Sequence, residues 1–366
     1  MKSSRSAIDT PALIVDIEAL ERNIATMAAR ANAWGVTLRP HAKTHKCSAI
    51  ARLQVLAGAS GIACATIDEA EVMVEANLPG VLITSPLATE RKVSRLTELA
   101  HRRSDLAVVA DHPQHVSLLD EIARRREVSL SVLVDLDVGD HRTGAATVEA
   151  AVNLAQQIQA ARHLRFAGIQ AYAGRIQHVA AFAKRKSAAA EVSEQLAELR
   201  TRLEFLGLAP SVVTGGGTGT QAIDGPGGVF TELQVGSYIF MDAEYAGVEL
   251  DDGKHNPFEP ALFVQTTVIS SNQRDFVTTD GGTKAFALNG PRPQILNGPA
   301  AGCAYEFQGD EHGRINLKPG VRLSLGNWLD CQPPHCDPTV SLYDRIVCVK
   351  GDEVVDVWPI DARGRK

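Results

Sequence analysis

The chain has 366 residues, of which 45% are hydrophobic and 22% are charged, and its formal net charge is -6. This composition predicts a globular protein with room for one large and one smaller domain, and the acidic balance argues against nucleic acid or an anionic membrane as partner. We therefore expect a small-molecule substrate. The absence of a signal-like segment or a membrane-spanning apolar run predicts a cytoplasmic protein, and six scattered cysteines suit reduced thiols.

The first two thirds of the chain alternate between apolar strands and helical stretches. A β-branched run at 10–16 precedes a helix that we predict from about Glu18 to Trp34, with Asp16 as its N-cap. Eight apolar runs, typical of parallel strands buried on both faces, lie at 36–39, 61–66, 80–85, 106–111, 130–137, 166–172, 211–215 and 233–240. The pattern predicts a (β/α)8 TIM barrel over residues 16–250, with a doubly wound sheet as the alternative.

From about residue 251 the helical periodicity gives way to proline, glycine and short alternating strands. We predict these strands at 262–269, 275–279, 314–317, 321–325, 345–350 and 354–358. They predict a C-terminal antiparallel β domain, formed by residues 1–15 together with 251–366.

The end of the first barrel strand carries a cationic motif, Arg-Pro-His-Ala-Lys-Thr-His-Lys at 39–46. In an extended strand, four of its side chains share one face: Arg39, His41, Lys43 and His45. Without a carboxylate beside them, these groups must face water or a ligand. Positive neighbours would lower the pKa of Lys43 and make its amine a usable nucleophile, whereas Lys46, on the opposite face, should tolerate replacement. The alternative is a basic, solvated strand end.

Two glycine-bearing turns follow the last two barrel strands, at 214–220 and 236–238. Backbone N–H groups in such turns form anion nests, and the loops after strands seven and eight of a barrel commonly hold phosphate. The turns therefore predict a phosphate site, with a merely flexible turn as the alternative. Neither turn matches a P-loop or a dinucleotide-binding fingerprint.

A second chemical cluster is the segment Pro-Pro-His-Cys-Asp-Pro-Thr at 333–339. In extended backbone His335 and Asp337 point the same way, as a pair of metal ligands requires, and Cys336 points away. Two ligands leave coordination positions open, which is typical of a catalytic metal site. The alternatives are a turn in which Asp337 bonds its own backbone, and an irregular zinc set of Cys331, His335 and Cys336.

Six segments, in order along nearly the whole chain, resemble the family of D-threonine aldolase and D-serine dehydratase, which belongs to the alanine-racemase-like (fold type III) pyridoxal phosphate enzymes. They are residues 39–46, 137–144, 168–174, 215–218, 234–242 and 335–339. The resemblance implies pyridoxal 5'-phosphate as the cofactor, held by Lys43, Arg142, Tyr172, Gly217, Thr218, Gly236, Ser237 and Tyr238. Lys43 would hold it covalently, Arg142 and Tyr172 would lie against its ring, and the turns would hold its phosphate.

The same resemblance implies a divalent metal on His335 and Asp337 and a homodimer, in which each site lies near the β domain of the other subunit. The dehydratases of the family carry a thiolate at the position of Asp337, which suits zinc. A carboxylate and an imidazole make a harder site, which favours manganese or magnesium. Arg175 departs from the family pattern, in which a histidine or a neutral residue is expected.

The cofactor stabilises a carbanion at Cα, so the protein selects which bond breaks. A cation on the Cβ hydroxyl lowers its pKa and favours retro-aldol cleavage, for which His178 is the predicted base and a water on the metal the alternative. We therefore predict a D-threonine aldolase-like carbon–carbon lyase (an aldehyde-lyase) that splits D-β-hydroxy-α-amino acids into glycine and an aldehyde. The alternative is that His178 is a solvent-facing residue at the start of a helix.

Other activities stay open on the same scaffold. These are β-hydroxyaspartate aldolase, and dehydration of D-serine or 3-hydroxyaspartate. A metal-free racemase would leave His335 and Asp337 without a role. A non-catalytic pyridoxal-phosphate-binding protein would be a lone barrel, so the predicted β domain argues against it.

Overall fold

The computed structural model describes residues 3–253 and 256–364. Two strands open the chain, β1 (Ser3–Ser4) and β2 (Ala12–Asp16), and the first helix, α1 (Ile17–Trp34), follows. The carboxylate of Asp16 accepts the backbone N–H groups of Glu18 and Ala19, as an N-cap does. The predicted start of this helix thus agrees with the structure to within one residue.

Eight parallel strands form one sheet within the described ranges. They are β3 (Thr37–Leu38), β4 (Ile62–Cys64), β5 (Val81–Ile83), β6 (Ala107–Ala110), β7 (Leu130–Asp135), β8 (Leu164–Ala171), β9 (Val212–Gly215) and β10 (Glu232–Leu233). They pair in the order β3-β10-β9-β8-β7-β6-β5-β4, and a parallel bridge between His41 and Ala63 joins the two ends. The sheet is therefore a closed ring, which confirms the predicted barrel and excludes an open doubly wound sheet.

Helices follow most of the barrel strands and cover the sheet. They are α2 (Ser48–Leu56), α3 (Ile67–Glu75), α4 (Glu90–Arg102), α5 (Pro113–Arg125), α6 (Val148–Ala160), α7 (Phe182–Phe205) and the short α8 (Gln221–Asp224). No helix in the described part of the chain is long and apolar enough to cross a membrane.

The second sheet is antiparallel for the most part and is built from both ends of the described chain. Its later elements are β11 (Leu262–Ser270), β12 (Phe276–Thr279), β13 (Gln294–Ile295), β14 (Ala304–Phe307), β15 (Gly313–Asn316), β16 (Trp328–Gln332), α9 (Cys336–Val340), β17 (Arg345–Lys350) and β18 (Glu353–Pro359). β11 pairs with both β12 and β16, so strands β11 to β16 close into a small barrel, and β2 lies between β17 and β11.

One predicted strand of this region, 321–325, is wrong. The segment is irregular because the side chain of Asn327 accepts the backbone N–H of Ser324 at 2.8 Å and the Asn327 N–H donates to Ser324 O. This turn leads directly into β16. The short helix α9 was also not expected, since the sequence reads there as extended.

The apolar core is continuous between the two sheets. Leu13 and Val15 of β2 belong to the same buried cluster as Met27 of α1 and Ile239, which follows the last barrel strand. All six cysteines are buried and free of disulfides. The continuous core fixes the β domain against the carboxyl ends of the barrel strands, where α9 packs on residues Ala42–Thr44.

Candidate active site

The cationic motif after β3 is not the extended strand that we predicted. The chain leaves β3 at Leu38, and Ala42–Thr44 form one turn of 3-10 helix. Strand alternation therefore ends before Lys43, and both Lys43 and Thr44 line one small cavity. Arg39 lies elsewhere, in a two-point ion pair with Glu232 at 2.7 and 2.9 Å.

Carboxylates accompany this motif, contrary to the prediction. Lys43 Nζ lies 2.7 Å from Asp337 Oδ2, and Lys46 forms an ion pair with the buried Glu69. Lys46 is thus a structural partner rather than a dispensable residue. The strand pattern could not show these partners because they come from distant parts of the chain.

The predicted lowering of the Lys43 pKa is also wrong for this state of the protein. Asp337 raises the pKa of Lys43 above its ordinary value, against the opposing effect of burial. Burial lowers the pKa of His41 to about 3 and that of His45 to about 4, so both imidazoles are neutral and do not repel the ammonium group. Lys43 is therefore held as a cation by Asp337.

The small cavity beside Lys43 measures about 30 Å³ and is bounded by the two predicted phosphate turns. Its lining includes Gly217, Thr218, Gly236 and Ser237. A Cβ on Gly236 would lie 2.5 Å from Thr44 Oγ1, and one on Gly217 would lie 2.5 Å from Gln177 Oε1. Glycine at these two positions is what keeps the turns close enough to form a cradle.

A buried hydroxyl without a partner points to what the cradle holds. Thr44 Oγ1 is fully buried and has no hydrogen-bond partner among the described residues. Buried polar groups are normally satisfied, so an unpaired donor beside an anion nest indicates a binding site for an anion. Thr44 was not among the predicted site residues because strand alternation put it on the face opposite Lys43.

Tyr238 contributes to the cradle through its backbone N–H group and not through its side chain. Its phenol receives a hydrogen bond from Gln54 Nε2 at 3.1 Å, away from the cavity, and its backbone N–H donates to Thr218 Oγ1 at 3.0 Å. Tyr238 therefore braces the turn that carries Thr218. Its ring lies outside the cradle.

A larger cavity of about 420 Å³ opens from the cradle toward solvent. It brings together residues from distant segments: His41, Lys43, Thr84, Arg142, Tyr172, His178, Gln234, Ser237, Tyr245 and His335. The Arg142 guanidinium carbon lies 5.7 Å from the centre of the Tyr172 ring. The cavity has the size of a small-ligand site.

Arg175, which departs from the family pattern, holds the loop that presents Arg142. Its guanidinium donates to Val138 O at 2.8 Å and lies over Gly139, where a Cβ would approach it to 3.0 Å. Asp140 of the same loop accepts the backbone N–H of Arg175 at 3.2 Å. Arg175 thus stabilises the loop after β7 through these hydrogen bonds, and it does not line the cavity.

His178 lies at the outer part of the cavity with 35% of its side chain exposed. Its ring centre is 4.5 Å from that of Tyr245, and its Nδ1 is 3.7 Å from Glu244. Burial lowers the pKa of His178, although Glu244 acts in the opposite direction. A neutral imidazole facing the cavity is able to accept a proton.

Of the predicted metal pair, His335 lines this cavity, whereas Asp337 is absent from its lining and contacts Lys43. His335 is extended, but Cys336 already begins α9, so the expected two-residue alternation does not apply. His335 Nδ1 lies 2.7 Å from Asn289 Nδ2 and 3.7 Å from Glu244. Burial alone would raise the pKa of Asp337, but the Lys43 ammonium group lowers it, so the carboxylate is ionised.

His335 and Asp337 are the two residues that would hold a divalent cation. The described residues contain no group of three or more His, Cys, Asp or Glu side chains that would enclose a metal. One imidazole and one carboxylate would leave most coordination positions of the metal to water or substrate. Manganese and magnesium commonly bind in this way. The irregular zinc alternative is disfavoured because Cys331, His335 and Cys336 do not form such a group among the described residues.

Comparison with known proteins gives the family. Residues 15–244 match the family described as "Alanine racemase, N-terminal domain", and residues 261–349 match "Putative serine dehydratase domain". A 3-hydroxy-D-aspartate aldolase of Paracoccus denitrificans (strain Pd 1222) is 37% identical over 364 residues, covering 98% of this chain and 93% of that protein. This chain belongs to the D-threonine aldolase and D-serine dehydratase family.

Two further relatives show that the chain is more similar to aldolases of this family than to a dehydratase. A D-threonine aldolase of an Arthrobacter species is 37% identical over 358 residues, covering 98% of this chain and 93% of the relative. The crystal structure of a D-threonine aldolase from Filomicrobium marinum superimposes with a TM-score of 0.94 at 37% identity, covering 100% of this chain and 98% of that one. A D-threo-3-hydroxyaspartate dehydratase of Delftia sp. (strain HT23) is 26% identical, with 98% of both chains covered.

Membership of the D-threonine aldolase and D-serine dehydratase family implies pyridoxal phosphate, and the described residues fit it. The orphan Thr44 hydroxyl and the glycine cradle suit its phosphate, and Lys43 opens onto the same cavity. Tyr245 and Gln234 also line the cavity, and Glu244 lies 3.7 Å from both His178 and His335. Gln234 begins the segment 234–242 but was given no role there, and no motif in the sequence distinguished Glu244 or Tyr245.

Proposed function

We propose that this chain is a pyridoxal phosphate- and divalent-cation-dependent aldolase that cleaves D-β-hydroxy-α-amino acids between Cα and Cβ. D-Threonine would give glycine and acetaldehyde. One observation carries the proposal: Lys43, His178 and His335, which come from both sheets, open onto a single cavity that adjoins a glycine cradle. The relatives of equal identity are named for D-threonine and for 3-hydroxy-D-aspartate, so both substrates are candidates.

The barrel residues would hold the cofactor. Bound pyridoxal phosphate supplies an electron sink for the pair left on Cα. Lys43 would hold it covalently, Thr44 and the two glycine turns would bind its phosphate, and Arg142 and Tyr172 would flank its ring. A covalent bond between the Lys43 nitrogen and the cofactor would remove the ammonium group that pairs with Asp337, and this carboxylate would then be free to bind a cation.

His178 would remove the proton from the Cβ hydroxyl oxygen. Its imidazole is neutral because burial lowers its pKa, and Glu244 at 3.7 Å would stabilise the imidazolium that forms. A cation on His335 and Asp337 would lower the pKa of a hydroxyl beside it. Tyr245 packs against the His178 ring and fixes its orientation.

Product analysis is the decisive experiment. Purified protein with pyridoxal phosphate and Mn²⁺ should release glycine and acetaldehyde from D-threonine and nothing from L-threonine. D-3-Hydroxyaspartate should give glycine and glyoxylate if that is the preferred substrate. Ammonia and a keto acid from D-serine, supported only by zinc, would show that the reaction is a dehydration.

Variants separate cofactor binding from cleavage. Lys43→Ala should abolish the visible cofactor band. His335→Ala, or chelation with EDTA, should abolish cleavage with the band retained, and Asp337→Cys should weaken rescue by manganese relative to zinc. His178→Ala should slow cleavage by about 10²–10⁴-fold, the usual contribution of a general base, whereas His312→Ala at the surface should have no effect.

We also propose that the protein works as a homodimer. Leu288 is 62% exposed, and its neighbour Asn289 contacts His335, so an apolar side chain stands open at the rim of the cavity. A second subunit on this rim would cover it. Light scattering that gives the mass of a monomer at micromolar concentration would contradict this arrangement.

We propose that the cofactor residues and the metal residues lie in different predicted domains. We assign the cofactor residues to a barrel domain, residues 16–250. We assign the metal residues to a β domain, predicted as residues 1–15 and 251–366, of which the structure describes 3–15, 251–253 and 256–364. The pairing of β2 between β17 and β11 supports including the first residues in the β domain.

A further inference from the structure

A chain of side-chain hydrogen bonds runs beneath the cavity, from the end of β7 to the residue after β10. Gln170 Nε2 donates to Asp135 Oδ1 at 2.9 Å and to the backbone oxygen of Thr84 at 3.0 Å. A carbonyl and an ionised carboxylate only accept hydrogen bonds, so the nitrogen end of the Gln170 amide must face them. Its oxygen end therefore faces the opposite way, toward Gln234.

The orientation of Gln170 determines that of the next amide. Gln234 Nε2 donates to Gln170 Oε1 and to Thr214 Oγ1, both at 3.2 Å. Since Nε2 makes both bonds, Oε1 is the atom of the Gln234 amide that remains for the cavity. Gln234 lines both the cradle and the larger cavity, so this oxygen faces the space that the cofactor would occupy.

Asp135 stands at the origin of this chain and reaches the site only through the side chains that it binds, Gln170 and Thr143. It is 4% exposed and is absent from the lining of both cavities. Its second oxygen accepts the hydroxyl of Thr143 at 3.0 Å. Burial raises the pKa of Asp135 to about 6, with Asp111 adding to this effect and Arg142 opposing it, so the group is ionised at mildly alkaline pH.

We propose that Asp135 is a positioning residue that acts through Gln170 to turn the carbonyl oxygen of Gln234 toward the cofactor cavity. The Gln234 side chain then presents only a hydrogen-bond acceptor to the cavity. It therefore favours a cofactor or substrate that places a hydrogen-bond donor there. A reversed amide would present N–H groups and lose that bond. The inference rests on the proposed function only in placing pyridoxal phosphate in this cavity.

The test uses variants that keep side-chain volume and change hydrogen bonding. Asp135→Leu and Gln234→Met should each weaken pyridoxal phosphate binding by about tenfold, the effect of one lost hydrogen bond, and should shift the cofactor absorption band. The double variant should bind no more weakly than either single variant, because both interrupt the same chain. Asp135→Asn keeps an acceptor for Gln170 and should restore both affinity and band position.

The measurements are spectrophotometric titration of the apo-protein with pyridoxal phosphate and thermal unfolding of the apo-protein, at mildly alkaline pH. A purely structural role predicts that Asp135→Leu lowers the melting temperature but leaves the affinity and the band unchanged, and that result overturns the proposal. The proposal is also overturned if the losses of affinity in the two single variants multiply in the double variant. If Asp135→Leu does not fold, Gln170→Met interrupts the next link and must reproduce the effect of Gln234→Met.

The proposed function can fail separately from this inference. If the unmodified protein binds no pyridoxal phosphate, the assignment of the cavity is wrong. If it binds the cofactor and cleaves no amino acid, the reaction is wrong, and the titrations of the Asp135 and Gln234 variants still decide the role of the hydrogen-bond chain.

Discussion

Replacing Thr44 by valine should change the stability of the apo-protein and its affinity for pyridoxal phosphate in opposite directions. The hydroxyl is buried without a partner, and an unsatisfied buried polar group costs about 1–3 kcal/mol. Valine keeps the shape and removes that cost, so the apo-protein should become more stable by about 1 kcal/mol or more. The same hydroxyl would donate to the cofactor phosphate, a charge-assisted bond worth about 1.5–3 kcal/mol, so affinity should fall by about 10- to 150-fold.

The assay is urea unfolding of the apo-protein, followed by titration with pyridoxal phosphate. Thr97→Val is the matched control: that hydroxyl is equally buried, but it donates to Ser94 O at 2.7 Å, far from the cavity. This control should lose about 1 kcal/mol of stability and keep its cofactor affinity. A Thr44→Val apo-protein that is destabilised like the control, with unchanged affinity, would refute the assignment of Thr44 to an anion site.

Three other changes test the same description of the site. Gly236→Ala places a Cβ 2.5 Å from the threonine hydroxyl of the cradle and should abolish cofactor binding in a folded protein, whereas Gly247→Ala, with no atom within 4 Å, should be silent in the same titration. Lys46→Met leaves the buried Glu69 carboxylate without its cation and should cost about 3–5 kcal/mol in urea unfolding while the cofactor band persists; a loss below about 1 kcal/mol would contradict a buried pair. Burial raises the pKa of Asp224 from 3.8 to about 7, so the folded state binds this proton more tightly than the unfolded state. The stability that it contributes is lost as pH rises toward and through the folded pKa, and Asp224→Asn should flatten that decline in a series of unfolding curves.

The barrel was predictable because its signals are local. Each buried parallel strand is an apolar run, and Asp16 marks the start of α1 within a few residues of sequence. The closure of the ring by His41 and Ala63 was expected only from the number of strands. In the β domain the strands are as short as Gln294–Ile295, too short for alternation to be visible.

Site residues that belong to a sequence motif were predictable. The predictions failed where contacts between distant segments determine the position or the pKa of a residue. Lys43, His178 and His335 do open onto one cavity. Thr44 was missed because one turn of 3-10 helix overrides strand alternation. The raised pKa of Lys43 depends on Asp337, a partner 294 residues away that no local pattern reveals.

The position of β2 within the β domain imposes an order on folding. Leu13, Ile14 and Val15 are fully buried in the finished protein, yet their neighbours β11 and β17 begin only at Leu262 and Arg345. A nascent chain therefore emerges with an apolar strand that stays unpaired while the whole barrel is made. We expect such an open strand to bind chaperones and to be prone to aggregation until its partner strands have been made.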